Sequence, residues 1–141
     1  MNSRFSTAVH ILTLLASSPG ERLTSEFIAM SVGTNAVVIR RQLALLRRAK
    51  LVESKGARGG GWALACDPAK ITLKRVREAL GAEVNFRMHR NEPHPRCTVG
   101  QHVRGVLELV YSDAEEAVMQ ALGNWTIGEM LKRVRRAARA R

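Results

Sequence analysis

The sequence predicts a mainly α-helical protein with one small β-hairpin, built as a compact head followed by a long helix. Three observations carry that prediction. Apolar residues recur at helical spacing through most of the 141 residues. Aromatic residues make up only 4% of a chain that is 45% hydrophobic, which suits a core of Leu, Val, Ile and Ala. One glycine-rich stretch, "GARGGGWALA" at 56–65, separates two short strand-like segments.

The first helix lies in "SRFSTAVHILTLLASSPG", where Phe5, Val9, Leu12 and Ala16 share a face and Ile11 and Leu15 widen it. Pro19 and Gly20 end it. In "LTSEFIAMSVG", Thr24 or Ser25 caps a short helix that turns Phe27, Ile28 and Met30 inward, and Gly33 closes it. A third helix starts at Thr34 or Asn35 in "TNAVVIRRQLALLRRAKL". Ile39, Leu43 and Leu46 fall at i, i+4 and i+7 on one face, while Arg40, Arg41, Arg47 and Arg48 fall off it. Two short helices joined by Gly-Thr-Asn, the second rich in arginine, form a helix-turn-helix. A generic solvated helix pair shares this pattern, so the next segment decides. "LVESK" alternates like a strand, "GARGGG" turns, and "WALA" returns as its partner. A hairpin directly after a recognition helix is a wing.

The same glycines do not make a nucleotide cradle. A Walker loop needs Gly-Lys-Ser/Thr leading into a helix, and a dinucleotide fingerprint needs G-x-G-x-x-G before a helix. Here a strand follows. Gly59 and Gly60 instead permit positive φ and close backbone approach at the tip. Arg58 on the tip and Lys55 at the base are placed to reach DNA phosphates or a minor groove.

Beyond the wing, "DPAKITLKRVREALG" restarts a helix near Thr72, with Leu73, Val76 and Leu80 on one face. Residues 82–96 are polar and proline-bearing and read as a linker. A long apolar stripe then runs through Val99, Val103, Val106, Val110, Ala114, Ala117 and Ala121, flanked by Leu107, Val118 and Leu122. A helix from Thr98 to about Leu122 is roughly 36 Å long, more than a small head can cover. Part of its apolar face is therefore expected to pack on a second copy. "NWTIGEMLKRVRRAARAR" reads as a capped helix from Thr126 that frays into a basic tail, whose arginines track phosphates or, on the reading favoured, form a disordered solubilising end. The expected division is a head over 1–81, a linker over 82–97, and a dimerisation helix, short helix and basic tail over 98–141.

Charge points to the partner. Lys and Arg number 23 against 12 Asp and Glu, for a net +11 and a pI near 11.2. Residues 1–80 carry net +8, residues 81–131 net −3 and the last ten net +6. This balance favours a polyanion, with nucleic acid ahead of a membrane surface, and the winged head makes double-stranded DNA the expected partner. The apolar run Ala8–Ala16 is too short to span a bilayer. Two cysteines make no disulfide framework and no secretory signal opens the chain, so a reduced cytoplasm is expected. No Ser/His/Asp set, paired carboxylates or nucleotide loop suggests an enzyme. Asp113, Glu115 and Glu116 read as a solvated face of the long helix. The competing function is a general nucleic-acid binder, such as an RNA- or ribosome-associated basic protein.

The order of elements, with "ERLTSEFIAMSVGTNAVVIRRQLALLRRAKLVESK", "GARGGGWALA", "ITLKRVREALG", "HPRCTVGQHVRGVLE" and "ALGNWTIGEML", resembles the Rrf-two family of bacterial regulators over nearly the whole chain. "TNAVVIRR" and the cysteine of "HPRC" most resemble its YwnA-like branch. Lys50 stands where many members carry Gly. The resemblance implies a winged helix-turn-helix regulator, more often a repressor, acting as a homodimer on a two-fold symmetric operator. It implies that Thr34, Asn35, Ala36, Val37, Arg40 and Arg41 face bases and phosphates, with Lys55, Arg58, Gly59 and Gly60 of the wing beside them. Members that hold an iron–sulfur cluster use three linker cysteines. This chain has Cys97 alone, with Asn91 and Val103 six residues to either side, so no cofactor is expected.

Cys97 has chemistry of its own. It precedes the predicted long helix, whose unpaired N–H groups favour a thiolate, and Arg96, His94 and His102 add positive potential. That setting suits a sensor of oxidants or electrophiles, and a small buried residue at the dimer base accounts for it equally well. Cys66, beside the second wing strand, reads as structural. His89, His94, Cys97 and His102 match no standard zinc spacing, so no metal is expected. Trp62 and Trp125 read as packing anchors.

Overall fold

The computed structural model describes residues 3–56, 60–81 and 86–140. Its elements run α1 (Arg4–Ala16), α2 (Ser25–Val32), α3 (Ala36–Arg48), β1 (Val52–Lys55), β2 (Gly61–Leu64), a 3-10 turn (Pro68–Lys70), α4 (Leu73–Ala79), α5 (Thr98–Gly123) and α6 (Ile127–Arg139). The mainly helical class with one antiparallel hairpin is as the sequence predicts. The chain divides into two compact units, Met1–Ala82 with Leu122–Arg141, and Glu83–Ala121.

In the first unit, α1 is the central column. Its Ala8, Ile11 and Leu12 are wholly buried, and α2, α3, α4, β2 and α6 all pack against it. Each surrounding helix begins at a side-chain cap, which fixes where the chain changes direction. Thr24 Oγ1 accepts from Phe27 N at 3.1 Å, Asn35 Oδ1 from Val38 N at 3.1 Å, and Thr72 Oγ1 from Arg75 N at 3.1 Å. Of the α2 residues expected inside, Ile28 is buried, but Phe27 and Met30 are exposed and Ala29 takes the inner place. Only eight residues long, α2 turns a narrow stripe inward, and Phe27 and Met30 lie off it.

Lys50 ends α3 in the left-handed region, at φ 64°. Leu51 N donates to Leu46 O at 3.0 Å and Lys50 N to Arg47 O at 2.9 Å, the paired bonds of a Schellman cap. Leu46 and Leu51 are both buried at this corner. The hairpin follows with Val52 opposite Leu64 and Lys55 opposite Gly61. Leu23 extends it by exchanging two backbone hydrogen bonds with Trp62, at 2.8 and 2.9 Å. Gly61 is where the glycine is required. At φ 136° a Cβ there would stand 2.9 Å from Leu23 O.

The C-terminal helix groups with the head, whereas the sequence grouped it with the long helix. Thr72 and Thr126 form an antiparallel bridge, in which Leu73 N donates to Trp125 O and Ile127 N to Ile71 O, each at 2.9 Å. Thr126 and Glu129 begin α6 with a Thr-x-x-Glu pattern, Thr126 Oγ1 accepting from Glu129 N. Ile127 is wholly buried. The basic end that reads as disordered from composition continues α6 to Arg139.

In the second unit, α5 is about 39 Å long by its residue count. The described linker folds back along it. Phe86 stacks on Tyr111 with ring centroids 5.3 Å apart, and Arg104 Nη2 donates to His89 O and Asn91 O at 2.8 and 2.7 Å. None of its 26 residues is buried.

Two stability changes follow from this packing. Lys50→Gly relieves a left-handed side chain at the cost of a more flexible unfolded chain, for a net gain of about 0.5–1 kcal/mol read from the urea midpoint. Ile127→Ala leaves a cavity where α6 meets the head and should cost about 2–5 kcal/mol, while Val134→Ala on the exposed side costs little.

Candidate DNA-binding surface

The candidate surface is built by α2, α3 and the wing, all in the first unit. Burial of Ile39, Leu43 and Leu46 fixes the rotation of α3, and that rotation turns Val37, Arg40, Arg41, Arg47 and Arg48 to solvent. Val37 is 55% exposed at the first turn, a position from which a side chain can meet a base edge. Thr34 and Ala36 are half-buried beside it. Asn35 has a second duty, because its Oδ1 caps the helix and leaves the amide NH2 as the polar group free to turn outward.

The four arginines of α3 are divided by their neighbours, which spacing alone does not show. Arg40 Nη2 reaches Glu26 Oε1 on α2 at 2.5 Å. Both side chains are exposed, so the pair orients Arg40 more than it stabilises the fold. Arg47 lies over the Trp62 ring, with Cζ 5.7 Å from the centroid, and so ties the helix end to β2. Arg41 and Arg48 remain on the flank facing Arg4 of α1, and all three border one hollow.

On the wing, Lys55 is exposed at the end of β1, and Gly60 is half-buried beside Gly61. Arg58 and Gly59 lie outside the described residues. Lys55, Gly60 and the first residues of α2, Thr24 to Glu26, border a shallow hollow of about 360 Å³. The α2 start is the part that a reading of the sequence misses. It carries the Thr24 cap, which takes the Phe27 N–H, and Glu26, which pairs with Arg40. The N-cap signature at Thr24 was legible, but its proximity to the wing depends on the Leu23–Trp62 bridge.

Cys97 is exposed in the second unit, and its Sγ accepts from Gly100 N at 3.3 Å in the first turn of α5. His94 Nδ1 accepts from Arg96 N at 3.1 Å close by. Cys66 is half-buried and packs against the core. Trp62 and Trp125 also pack against the core, and Arg133 lies 4.6 Å from the Trp125 ring centroid.

The sequence matches the family described as Rrf2, iron-dependent transcriptional regulator, over residues 1–133. It is 35% identical over 132 residues to YwnA of Bacillus subtilis (strain 168), assigned as an HTH-type transcriptional regulator, covering 93% of this chain and 96% of that one. A crystal structure assigned as a DNA-binding protein is 32% identical, with a TM-score of 0.74 over 92% of this chain and 99% of that chain. IscR of T. potens shares the fold, at 22% identity and a TM-score of 0.75, over 97% of this chain and 89% of that chain.

The family's description carries an iron dependence, which the donors of this chain do not match. Iron–sulfur clusters are held mainly by several thiolates. The described linker offers Cys97 alone, and among the described residues no three His, Cys, Asp or Glu side chains converge as metal ligands. Among the described residues, the donor set does not fit a cluster. Among the described residues, no helix is long and apolar enough to cross a membrane. The chain belongs to the Rrf2 family of DNA-binding transcriptional regulators.

Proposed function

We propose that this protein is a homodimeric, sequence-specific repressor that seats one α3 per half-site in the major groove of a two-fold symmetric operator. The observation that carries the reading is the N-capped α3, anchored by its apolar face and presenting Val37, Arg40 and Arg41 beside the wing. In this reading Thr34, Asn35, Ala36 and Val37 meet the groove, Arg40 and Arg41 contact bases or phosphates, and Lys55, Arg58, Gly59 and Gly60 follow the adjacent backbone. Arginine reads guanine through two parallel hydrogen bonds, and a phosphate contact adds affinity without sequence information. A dimer seated on a promoter excludes polymerase by occupancy alone, so repression is the sense we take.

The apolar face of α5 supports the dimer. Val99, Val106, Leu109 and Val110 are 71, 57, 69 and 52% exposed, a patch that a monomer in water leaves uncovered. Leu109 lies off the stripe expected from the sequence and widens it. A dimer also gives the two-fold symmetry that a symmetric operator requires.

Control by oxidants or electrophiles is assigned to Cys97. Its thiol is exposed, which leaves the sulfur open to such reagents, and Gly100 N–H donates to it at 3.3 Å. Oxidation to a sulfenic acid would change the charge and size of a group at the root of α5.

The test is fluorescence anisotropy on DNA upstream of the protein's own gene against unrelated duplex, reduced and after peroxide. Reduced protein is expected to prefer its own upstream DNA by about 10³-fold. Peroxide should erase that preference in the native protein but leave it in Cys97→Ser. Arg41→Ala should weaken specific binding by about 1–3 kcal/mol, and Lys55→Ala should lower the salt slope by about one. Equal affinity for both duplexes, with tight RNA binding, would favour the general nucleic-acid binder.

A second test concerns assembly. Leu109→Glu is expected to turn a dimer into a folded monomer by sedimentation, with unchanged far-UV circular dichroism and lost operator preference. A native protein that sediments as a monomer at micromolar concentration would overturn the dimer.

A further inference from the structure

The buried side of α3 is made by Ile39, Gln42, Leu43 and Leu46. At about 100° per residue, Val37 and Ala44 stand on the opposite side of the helix. Arg40 and Arg47 run along one flank of that line, and Arg41 and Arg48 along the other. Val37 is 55% exposed, whereas Ala44 is small and half-buried. A single exposed valine is ordinary on a protein surface, and taken alone Val37 says nothing.

Its neighbours make it informative. In the first turn of α3, Ala36 and Val38 are half-buried and Ile39 is buried, so Val37 is the side chain turned outward. Ahead of it, Thr34 is half-buried and Asn35 Oδ1 accepts from Val38 N at 3.1 Å. Arg40 is drawn toward α2 by Glu26, and Arg47 lies over Trp62 at the far end of the helix. The centre of the presented face is therefore a pair of methyl groups that neither donate nor accept.

The floor of the major groove offers such a surface one match. It displays donors, acceptors and a single apolar group, the 5-methyl of thymine. The other three bases give a valine no apolar atom to cover, and their polar edges lose water as it approaches.

We infer that Val37 reads the 5-methyl group of a thymine in each operator half-site. The inference rests on the seating of α3 in the major groove proposed above, and it names what that helix recognises there. Val37 fixes a base pair through apolar contact, while Arg41 supplies a charged contact from the flank. Arg41 is exposed and meets no carboxylate among the described residues. One chemical consequence follows. Cytosine methylated at C5 carries the same group in the same place, so a cytosine at this position gains affinity when it is methylated.

The test removes one methyl group from the DNA and nothing else. Deoxyuridine pairs as thymidine does and keeps its O4 acceptor. The protein's own upstream DNA, carrying deoxyuridine at scattered thymines, is sorted into bound and free fractions to locate any methyl that binding needs. Anisotropy on duplexes altered at that position then gives the size of the effect. Loss of the methyl is expected to weaken binding ~4-fold in one half-site and ~15-fold in both, the effect of exposing one buried carbon group per half-site. With cytosine at the same position, 5-methylation should strengthen binding by a similar ~4-fold. Val37→Ser changes an exposed position and should leave the far-UV circular dichroism as it is. It should nonetheless bind thymine and deoxyuridine duplexes equally. Arg41→Ala should weaken both together and keep their ratio. Specific operator binding in which no thymine methyl matters overturns the inference, as does a thymine preference that Val37→Ser retains in full. A native protein with no preference between its upstream DNA and unrelated duplex faults the operator reading itself, and the role of Val37 falls with it.

Discussion

Burial of Ile39, Leu43 and Leu46 against the α1 column is the constraint on which the rest of the head depends. Those three side chains leave α3 only one rotation about its axis. That rotation decides which arginines face solvent, where the Schellman corner at Lys50 releases the chain, and from which side the hairpin can return. Loss of this face would leave α3 marginal, since a 13-residue helix rarely persists alone in water. The charged surface is thus a product of the apolar one.

The polar interactions around α3 sort its arginines more than they stabilise the fold. The exposed Arg40–Glu26 pair contributes at most about 1 kcal/mol, and the Arg47–Trp62 contact is of similar size. Their effect is to hold two guanidiniums in defined places while Arg41 and Arg48 stay on the flank toward α1. Gln42 is the costly member of the helix, since an unpaired buried amide oxygen gives up about 1–3 kcal/mol.

The two units meet different physical demands. The head closes its own core, with α6 sealing one side through the Thr72–Thr126 bridge and the buried Ile127. The second unit buries no residue of α5, even with the described linker laid along it through Arg104 and the Phe86–Tyr111 stack. Its long helix therefore keeps an apolar face that one chain does not cover. Cys97 stands just before that helix, its sulfur accepting from Gly100 N in the first turn.

Local chemistry, by itself, determined the elements. The caps, which the sequence narrowed to Thr24 or Ser25 and to Thr34 or Asn35 and read at Thr126, the restart of the chain near Thr72 and the 3.6-residue spacing of the core leucines each depend on neighbours within a few residues, and so were legible in the sequence. So were the rotation of α3 and the candidate residues on it, because a helix's apolar stripe dictates its polar one. Tertiary structure decided what depends on distant partners. Phe27 and Met30 lie outside because an eight-residue helix buries a narrow stripe. α6 joins the head because strand-like bonds link 71–73 to 125–127. The arginines of α3 part company because Glu26, Trp62 and Arg4 come from three other segments. Periodicity records which way a side chain points along its own helix, and it carries no record of what waits there.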